Sequence, residues 1–550
     1  MQSLFCYQSS KRESNLMLLW VSLLLLATLG GGRGGGGGVL GLVMTQPSLE
    51  VSEWLLTKEE MDSATGGFDR SSLGISLSSC GNEVEVFITG EDYFASLYDD
   101  VEASESGDYV FMTGWMTRND TILKPQTEES AAVSSVGDVW SRAISRNVTS
   151  LSLIWRNMLP GYMERLEAFK DQVAAVGAEN EMGERARVIV DGRSPLPSGS
   201  HHQKSIMVKR KGETVGYVGG IDLAQSRWDT VDHCCAQNPP CQACLAYKRD
   251  PGYDAATPGW QDVQCKVRGP AVVDIGGNFV ARWNDDETPS KVKPAESVPS
   301  KISLIPLSDT APAGIGTHSV QLLRTYICSY QKVCHHGCFS DNAPYGETSH
   351  RDGLMKAFSK AQNFIYIEDQ YFVWEEDLHD VLLKAVQRGV QVIVITQEQK
   401  GTPGYETYQH GMITPLREAC EDCVHAFNPS DGVYVHTKVT IVDDVYMTVG
   451  SNNINYRSMT YDTELSIASV DTVHVLSADK ITVAKLAHDT RVRLWSIHTG
   501  IPIEQLKVLT LEESIQEFHN RAVEGTHIVT FDPQEKKAEV QYVMLAVYCE

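Results

Sequence analysis

His436-Thr437-Lys438-Val439-Thr440-Ile441-Val442-Asp443-Asp444-Val445-Tyr446-Met447-Thr448-Val449-Gly450-Ser451-Asn452-Asn453 decides the fold. β-Branched and aromatic residues fill two runs, Val435 to Val442 and Val445 to Val449, and Asp443-Asp444 separates them, so the stretch predicts a β-hairpin. Residues i and i+2 of a strand share a face. His436 and Lys438 therefore point together, and Thr437 and Val439 enter the opposite layer. The small residues after the return strand, Gly450 and Ser451, let a phosphate approach the backbone. The same plan occurs earlier in the chain. His202-Gln203-Lys204 leads into a strand ending at Val208, Lys209 to Glu213 forms a turn, and Thr214 to Val218 returns to Gly219-Gly220-Ile221-Asp222. Asp222 and Asn453 hold equivalent places after the two turns.

Working outward, Glu83 to Phe87 and Tyr109 to Trp115 read as strands with a helix, Asp92 to Val101, between them. Leu151 to Val176 reads as one long helix with a break at Pro160, and Arg187 to Val190 as a buried strand. In the second half Phe364 to Phe372 is a strand, Leu378 to Gly389 a helix and Val390 to Thr396 a strand. Lys480 to Trp495 is a last helix, and Tyr542 to Val547 has the length of a strand. Each half thus runs strand, helix, strand, hairpin, an internal duplication visible in element order. The expected class is α/β, with two similar lobes, each a mixed β-sheet flanked by helices, and the active site at their interface. Residues 46–286 form the first lobe, 287–313 a Pro-, Ser- and Lys-containing linker, and 314–550 the second lobe.

Residues 1–45 read as a signal peptide and glycine spacer. Lys11 and Arg12 precede the apolar run Leu16 to Leu29, and glycines follow to Gly38. Secretion is the expected route, with a signal-anchor as the alternative. Of 13 cysteines, Cys6 would leave with the signal. The groups Cys234, Cys235, Cys241, Cys244; Cys328, Cys334, Cys338; and Cys420, Cys423 read as disulfides stapling loops. A zinc site at Cys241 and Cys244 with His233, or at Cys334 and Cys338 with His335 and His336, is the competing reading. Asn119-Asp120-Thr121 and Asn147-Val148-Thr149 are glycosylation acceptors in such a route. The net charge of -24 argues against a nucleic-acid surface, which needs excess Lys and Arg, and against general attraction to anionic lipid. Trp115 and Trp374 read as packing residues, and no further lipid-binding module is visible.

Two imidazoles and two ammonium groups on matching units are the parts needed to break a phosphodiester without a metal or cofactor. The constellation resembles the phospholipase D superfamily, whose motif is His-x-Lys, four residues, Asp, then a Gly-Ser or Gly-Gly turn. The resemblance narrows to the eukaryotic phosphatidylcholine-type enzymes through Gly219 to Leu223 with Arg227-Trp228-Asp229, Gly259-Trp260-Gln261-Asp262, Gly269-Pro270-Ala271, Phe279, and Arg282-Trp283-Asn284. Ile365 to Phe372, Arg457-Ser458-Met459, Asp462-Thr463-Glu464 and Arg493-Leu494-Trp495 extend it, so that it covers roughly residues 80–500.

The resemblance implies roles. His202 would be the nucleophile forming a phosphohistidine, and His436 the acid that protonates the departing alcohol and then activates water or an acceptor alcohol. Lys204, Lys438 and Asn453 would bind phosphoryl oxygens, with Gly220, Asp222 and Ser451 around the phosphate. Glu464 would orient His202, Asp262 would orient His436, and Asp443 completes the second motif. The implied substrate is a glycerophospholipid, phosphatidylcholine, at a membrane or micelle surface. Two positions depart from the pattern: Lys209 stands where the first motif has Asp, and Gln261 replaces the His of a Trp-His-Asp element. A lumenal or secreted nuclease of the same superfamily, and an inactive binder decayed at Lys209, are the alternatives.

Overall fold

The computed structural model describes residues 42–157, 161–193, 199–246, 259–285, 300–310, 314–327, 342–399, 404–430 and 432–533. The expected leader through residue 41, Pro160, most of the expected linker, Cys328, Cys334, Cys338 and the expected strand Tyr542 to Val547 lie outside them. Everything below concerns the unit that begins at Met44.

The first half contributes β1 (Ser79–Phe87), β2 (Tyr109–Gly114), β3 (Thr149–Trp155), β4 (Ala186–Asp191), β5 (Ser205–Arg210), β6 (Glu213–Gly219), β7 (Gly259–Gln261) and β8 (Gln264–Arg268). The second contributes β9 (His318–Thr325), β10 (Phe364–Asp369), β11 (Gln391–Ile395), β12 (Val424–Pro429), β13 (Val433–Val435), β14 (Lys438–Val442), β15 (Tyr446–Gly450), β16 (Glu464–Asp471), β17 (His474–Leu476), β18 (Thr482–Ala484) and β19 (Ile528–Thr530). Both expected hairpins form. Their tips are Lys211-Gly212 and Asp443-Asp444, all with positive φ, the backbone that matches the right-handed twist of paired strands.

One 15-stranded sheet runs through both halves, ordered β19-β12-β11-β10-β14-β15-β16-β9-β1-β8-β6-β5-β2-β3-β4. From the antiparallel β1–β9 junction the order of roles is the same in each direction: the strand after the hairpin, the return strand, the His-x-Lys strand, then three parallel strands. The duplication is thus a near two-fold arrangement about that junction. Every pairing from β5 through to β14 is antiparallel, so these two strands run in opposite directions, and the packing of β6 against β15 and β16 brings the two histidine-bearing hairpins together.

Apolar side chains alternate between layers. Phe364 and Tyr366 enter a core that spans both halves with Phe279, Trp283, Trp495 and Phe518. Ile365 and Ile367 enter the opposite core with Leu354, Phe358 and Leu382. Trp54, Leu55, Leu56 and Met61 belong to this second core, and Leu56 N donates to Gln321 Oε1 (2.9 Å). The segment carrying Trp54 to Met61 therefore packs on the second lobe, although it precedes the first in sequence.

Leu151 to Val176 is not a single helix. Its first residues form β3, and the helix begins only at Tyr162. Leu151, Leu153 and Ile154 are all buried, because a parallel strand with both faces covered shows no alternation, and such a run cannot be told from helix by period. Likewise the helix Tyr405–Ala419, which contains Pro415, and β12 after it extend the expected plan by one unit.

Candidate active site

Strand β5 carries Lys204 at its entry, and β14 begins at Lys438. His202 N donates to Thr463 O (2.8 Å), which ties the first motif to the other half. His436 N donates to Gln261 O (2.8 Å), where β13 pairs in parallel with β7. Each histidine is thus held by backbone of the half that did not supply it.

The carboxylates cross in the same way. His202 Nδ1 lies 3.0 and 3.1 Å from the Glu464 oxygens and 3.0 Å from Ser451 O. Glu464 also accepts from Ser451 Oγ and Ser458 Oγ, both at 2.6 Å. His436 Nδ1 lies 2.6 Å from Asp262 Oδ2, and Asp262 accepts from Val263 N (2.9 Å). Lys204 Nζ donates to His202 O (2.7 Å) and pairs with Asp222 Oδ2 at 3.3 Å. Lys438 Nζ donates to His436 O and to Gln370 Oε1, the latter at 3.2 Å. One lysine is therefore held by a carboxylate, the other by a neutral amide. Aromatic rings wall the histidines: Trp115 stands edge-on to His202 (6.3 Å), and Trp260, stacked on Tyr434, lies 5.0 Å from His436.

Burial dominates the electrostatics. His202 is held well below the ordinary imidazole range by burial, then by Lys204 and Lys438. His436 is lowered by burial, then by Lys438, Arg227, Lys204 and His202. Each histidine thus feels the lysine of the other half, and the four groups share one field. Burial pushes Asp262 and Glu464 up to about 7 and Lys438 down to about 8. Burial thus favours the neutral form of both imidazoles, each with one nitrogen turned to a carboxylate.

Seven of the eleven expected site residues are brought to this region: His202, Lys204, His436, Lys438, Asp262, Glu464 and Asn453. Asn453 is buried and its side-chain oxygen finds no partner among the described residues, so its amide is free to turn toward an anion. Four others do different work. Asp443 sits at the far tip of its hairpin, and its carboxylate accepts from Gln362 N (2.7 Å), Asn363 N (2.8 Å) and Phe364 N (2.8 Å). It fastens the entry to β10 and is not brought to the histidines. Asp222 cannot hold a phosphate, since its carboxylate repels one; it accepts from Trp115 N (3.0 Å) and Met116 N (3.2 Å) and pairs with Lys204. Gly220 makes room for the Asp262 carboxylate, which a Cβ there would strike. Ser451 is committed to Glu464 and, through its carbonyl, to His202.

The place of Asp443 explains Lys209. At the matching sequence position Lys209 lies inside β5, opposite Thr214, and its Nζ pairs with Asp309 (2.7 Å). The turn before β2 is fastened instead by its own Asp108, which accepts from Glu105 N (2.8 Å). Gln261 acts through its backbone carbonyl, so the side chain at that position is not what aligns His436.

Ser458, Gln370 and Gln203 were not assigned roles from sequence. Gln203 Nε2 donates to Glu464 O (3.1 Å), and Gln203 Oε1 accepts from Arg282 and Asn278, both at 3.0 Å. Only its place between His202 and Lys204, on the face away from the cleft, signalled this. Behind β7, buried Asp229 accepts from Trp260 N (2.8 Å) and Cys235 N (3.2 Å). The loop carrying Cys235 is closed by Cys234–Cys241 and Cys235–Cys244 disulfides. Cys420–Cys423 is a third, Cys80 is also disulfide-bonded, and Cys265 is a buried free thiol, so the even cysteine count does not mean complete pairing.

Among curated proteins the chain is 24% identical to phospholipase D alpha 3 of Arabidopsis thaliana, over 75% of this chain and 64% of that protein. It is 24% identical to phospholipase D A of Dictyostelium discoideum, over 76% of this chain and 36% of that one. The chain thus spans under two thirds of the length of these relatives. Of solved structures, phosphatidylserine synthase of Haemophilus influenzae superposes with a TM-score of 0.47 at 12% identity, over 84% of this chain and 91% of that one. The family model for the PLD-like domain of cardiolipin synthase matches residues 354–482. The model for phospholipase D matches residues 104–402, more than half of the sequence, and the chain belongs to the phospholipase D family.

Proposed function

We propose that the protein hydrolyses a glycerophospholipid, phosphatidylcholine in the first place, to phosphatidate and free head group through a phosphohistidine. The observation that carries this is the unequal seating of the two histidines. A carbonyl oxygen can only accept, so Ser451 O beside His202 Nδ1 fixes the proton there and leaves Nε2 with a lone pair. His436 Nδ1 faces a carboxylate that burial has raised to about 7, so its Nε2 can carry a proton. His202 Nε2 attacks phosphorus, the bond to the head-group oxygen breaks, and that oxygen takes the proton from His436 Nε2. His436 then takes a proton from water, the hydroxide attacks phosphorus, and the phosphorus–nitrogen bond breaks to release phosphatidate. A primary alcohol in place of that water gives transphosphatidylation. Lys204, Lys438 and the Asn453 amide stabilise the phosphoryl oxygens.

The disulfides support passage through an oxidising compartment, in line with the leader in the sequence. The test is a lipid panel with His202→Ala and His436→Ala controls. Choline release from phosphatidylcholine, and phosphatidylethanol formation in ethanol, both lost in the variants, are the expected results. Cleavage of single-stranded oligonucleotide without lipid turnover would instead identify a nuclease.

A further inference from the structure

We propose that an aromatic lip beside the start of the His436 strand, tipped by Trp374 and Tyr456, docks the protein on a zwitterionic lipid surface. This rests on the phospholipid reading above and names the surface that would deliver the substrate.

Trp374 follows Gln370, the partner of Lys438, by four residues, and Tyr456 follows Asn453 by three. Their loops leave β10 and β15 beside the start of β14, next to His436, and Val373 N donates to Ile454 O (3.1 Å), binding one loop to the other. Trp374 is 40% exposed and Tyr456 61%, unlike Trp115, which packs on Trp155 and Tyr162. The backing is aromatic as well. Tyr371 meets Tyr405 edge-on at 5.0 Å, and Tyr456 meets Tyr461 at 6.0 Å. The nearby cation, Arg457, is paired with Asp462 at 3.1 Å. Two large amphipathic rings left partly in water on joined loops beside the His436 strand suit the boundary between head groups and acyl chains.

Charge chooses the surface. Glu376 is exposed two residues from Trp374, and Asp377 beside it is half-buried against Arg351 (3.1 Å). With a net charge of -24, this setting repels anionic lipid and nucleic acid, both of which are recognised by excess Lys and Arg. An uncharged head-group layer is what remains compatible with the rings.

The experiment compares wild type with a Trp374→Ala/Tyr456→Ala variant in flotation with phosphatidylcholine vesicles, and in turnover of a monomeric short-chain phosphatidylcholine. The variant is expected to bind vesicles about tenfold or more weakly, with kcat/KM on the monomeric substrate unchanged. Tyr456→Ala alone, at a mostly exposed position, gives a smaller loss in the same direction and guards against misfolding of the double variant. Unchanged vesicle binding, equal losses on vesicles and monomers, or preferential binding of phosphatidylserine vesicles or a single-stranded oligonucleotide would overturn the proposal. The two readings separate cleanly. A wild type that floats through these rings yet cleaves no lipid keeps the docking surface and loses the activity. One that cleaves lipid with no dependence on the rings does the reverse.

Discussion

The carbonyl oxygen of Ser451 lies 3.0 Å from Nδ1 of His202, and no such carbonyl contact is made by Nδ1 of His436 among the described residues. The two catalytic candidates are therefore not equivalent, although the hairpins that carry them are. His202 keeps its tautomer even without its carboxylate, whereas His436 depends on Asp262 alone. Glu464→Gln is accordingly expected to lower kcat about tenfold, and Asp262→Asn about 10³-fold. Steady-state kinetics on both variants, at matched thermal stability, measure the difference. Equal losses would contradict the assignment of roles.

The pH profile of kcat/KM has signs set by the cleft. Burial and the two lysines lower His202, so its nucleophilic form persists as pH falls, and activity drops only well below pH 6.5. Burial lowers Lys438 to about 8, so activity falls as pH rises through about 8 and that ammonium is lost. Lys438→Arg, which stays charged, is expected to remove the fall near 8 while lowering the plateau, and to leave the fall through about 7 at which Asp262 ionises and His436 Nε2 loses its proton. A pH–rate series on a monomeric substrate reads both limbs.

Lys209→Asp is expected to produce no gain in activity, because Lys209 lies toward the end of β5 away from His202 and Lys204 and pairs with Asp309. It replaces an attraction to Asp309 with a repulsion between half-buried groups, and lowers stability by about 1 kcal/mol or less. Asp443→Ala acts differently. It strips the acceptor from three backbone N–H groups and is expected to cost about 3 kcal/mol or more, while the folded fraction retains its kcat. Denaturant melts alongside kinetics separate the two effects.

The hairpins, the order of elements in each half and the His–Lys–carboxylate set were legible because period two, paired turns and motif spacing are local signals. Three features were not. Thr149–Trp155 hid inside an apolar run, since strands buried on both faces lose their alternation. The β1–β9 pairing that makes one sheet of two lobes joins residues more than two hundred apart in sequence. Trp54 to Met61 packs across onto the second lobe for the same reason: burial partners distant in sequence leave no periodicity. At the site, the contacts of Asp443, Asp222, Gly220 and Ser451 with backbone N–H groups, Lys204, Asp262 and Glu464 were not legible, because a motif records which residues recur and not which atoms they touch.

The Cys234–Cys241 and Cys235–Cys244 disulfides stand behind Asp229, which holds Trp260 N and so the strand leading to Asp262. Asp229→Asn is expected to lower kcat about tenfold with little change in KM for a monomeric substrate. Reduction of the two disulfides should give the same pattern, and reduction of the Asp229→Asn protein little further loss. A change confined to KM would show that this loop serves substrate binding and not the alignment of His436.

The most direct test of the central claim is mass spectrometry of the quenched His436→Ala protein after brief exposure to a phospholipid with a good leaving group. Bond breaking then needs no acid, while hydrolysis of the intermediate lacks its base, so a phosphatidyl adduct should accumulate on the peptide containing His202. An adduct on the His436 peptide of the His202→Ala protein, with none on His202 in the converse variant, would contradict the account.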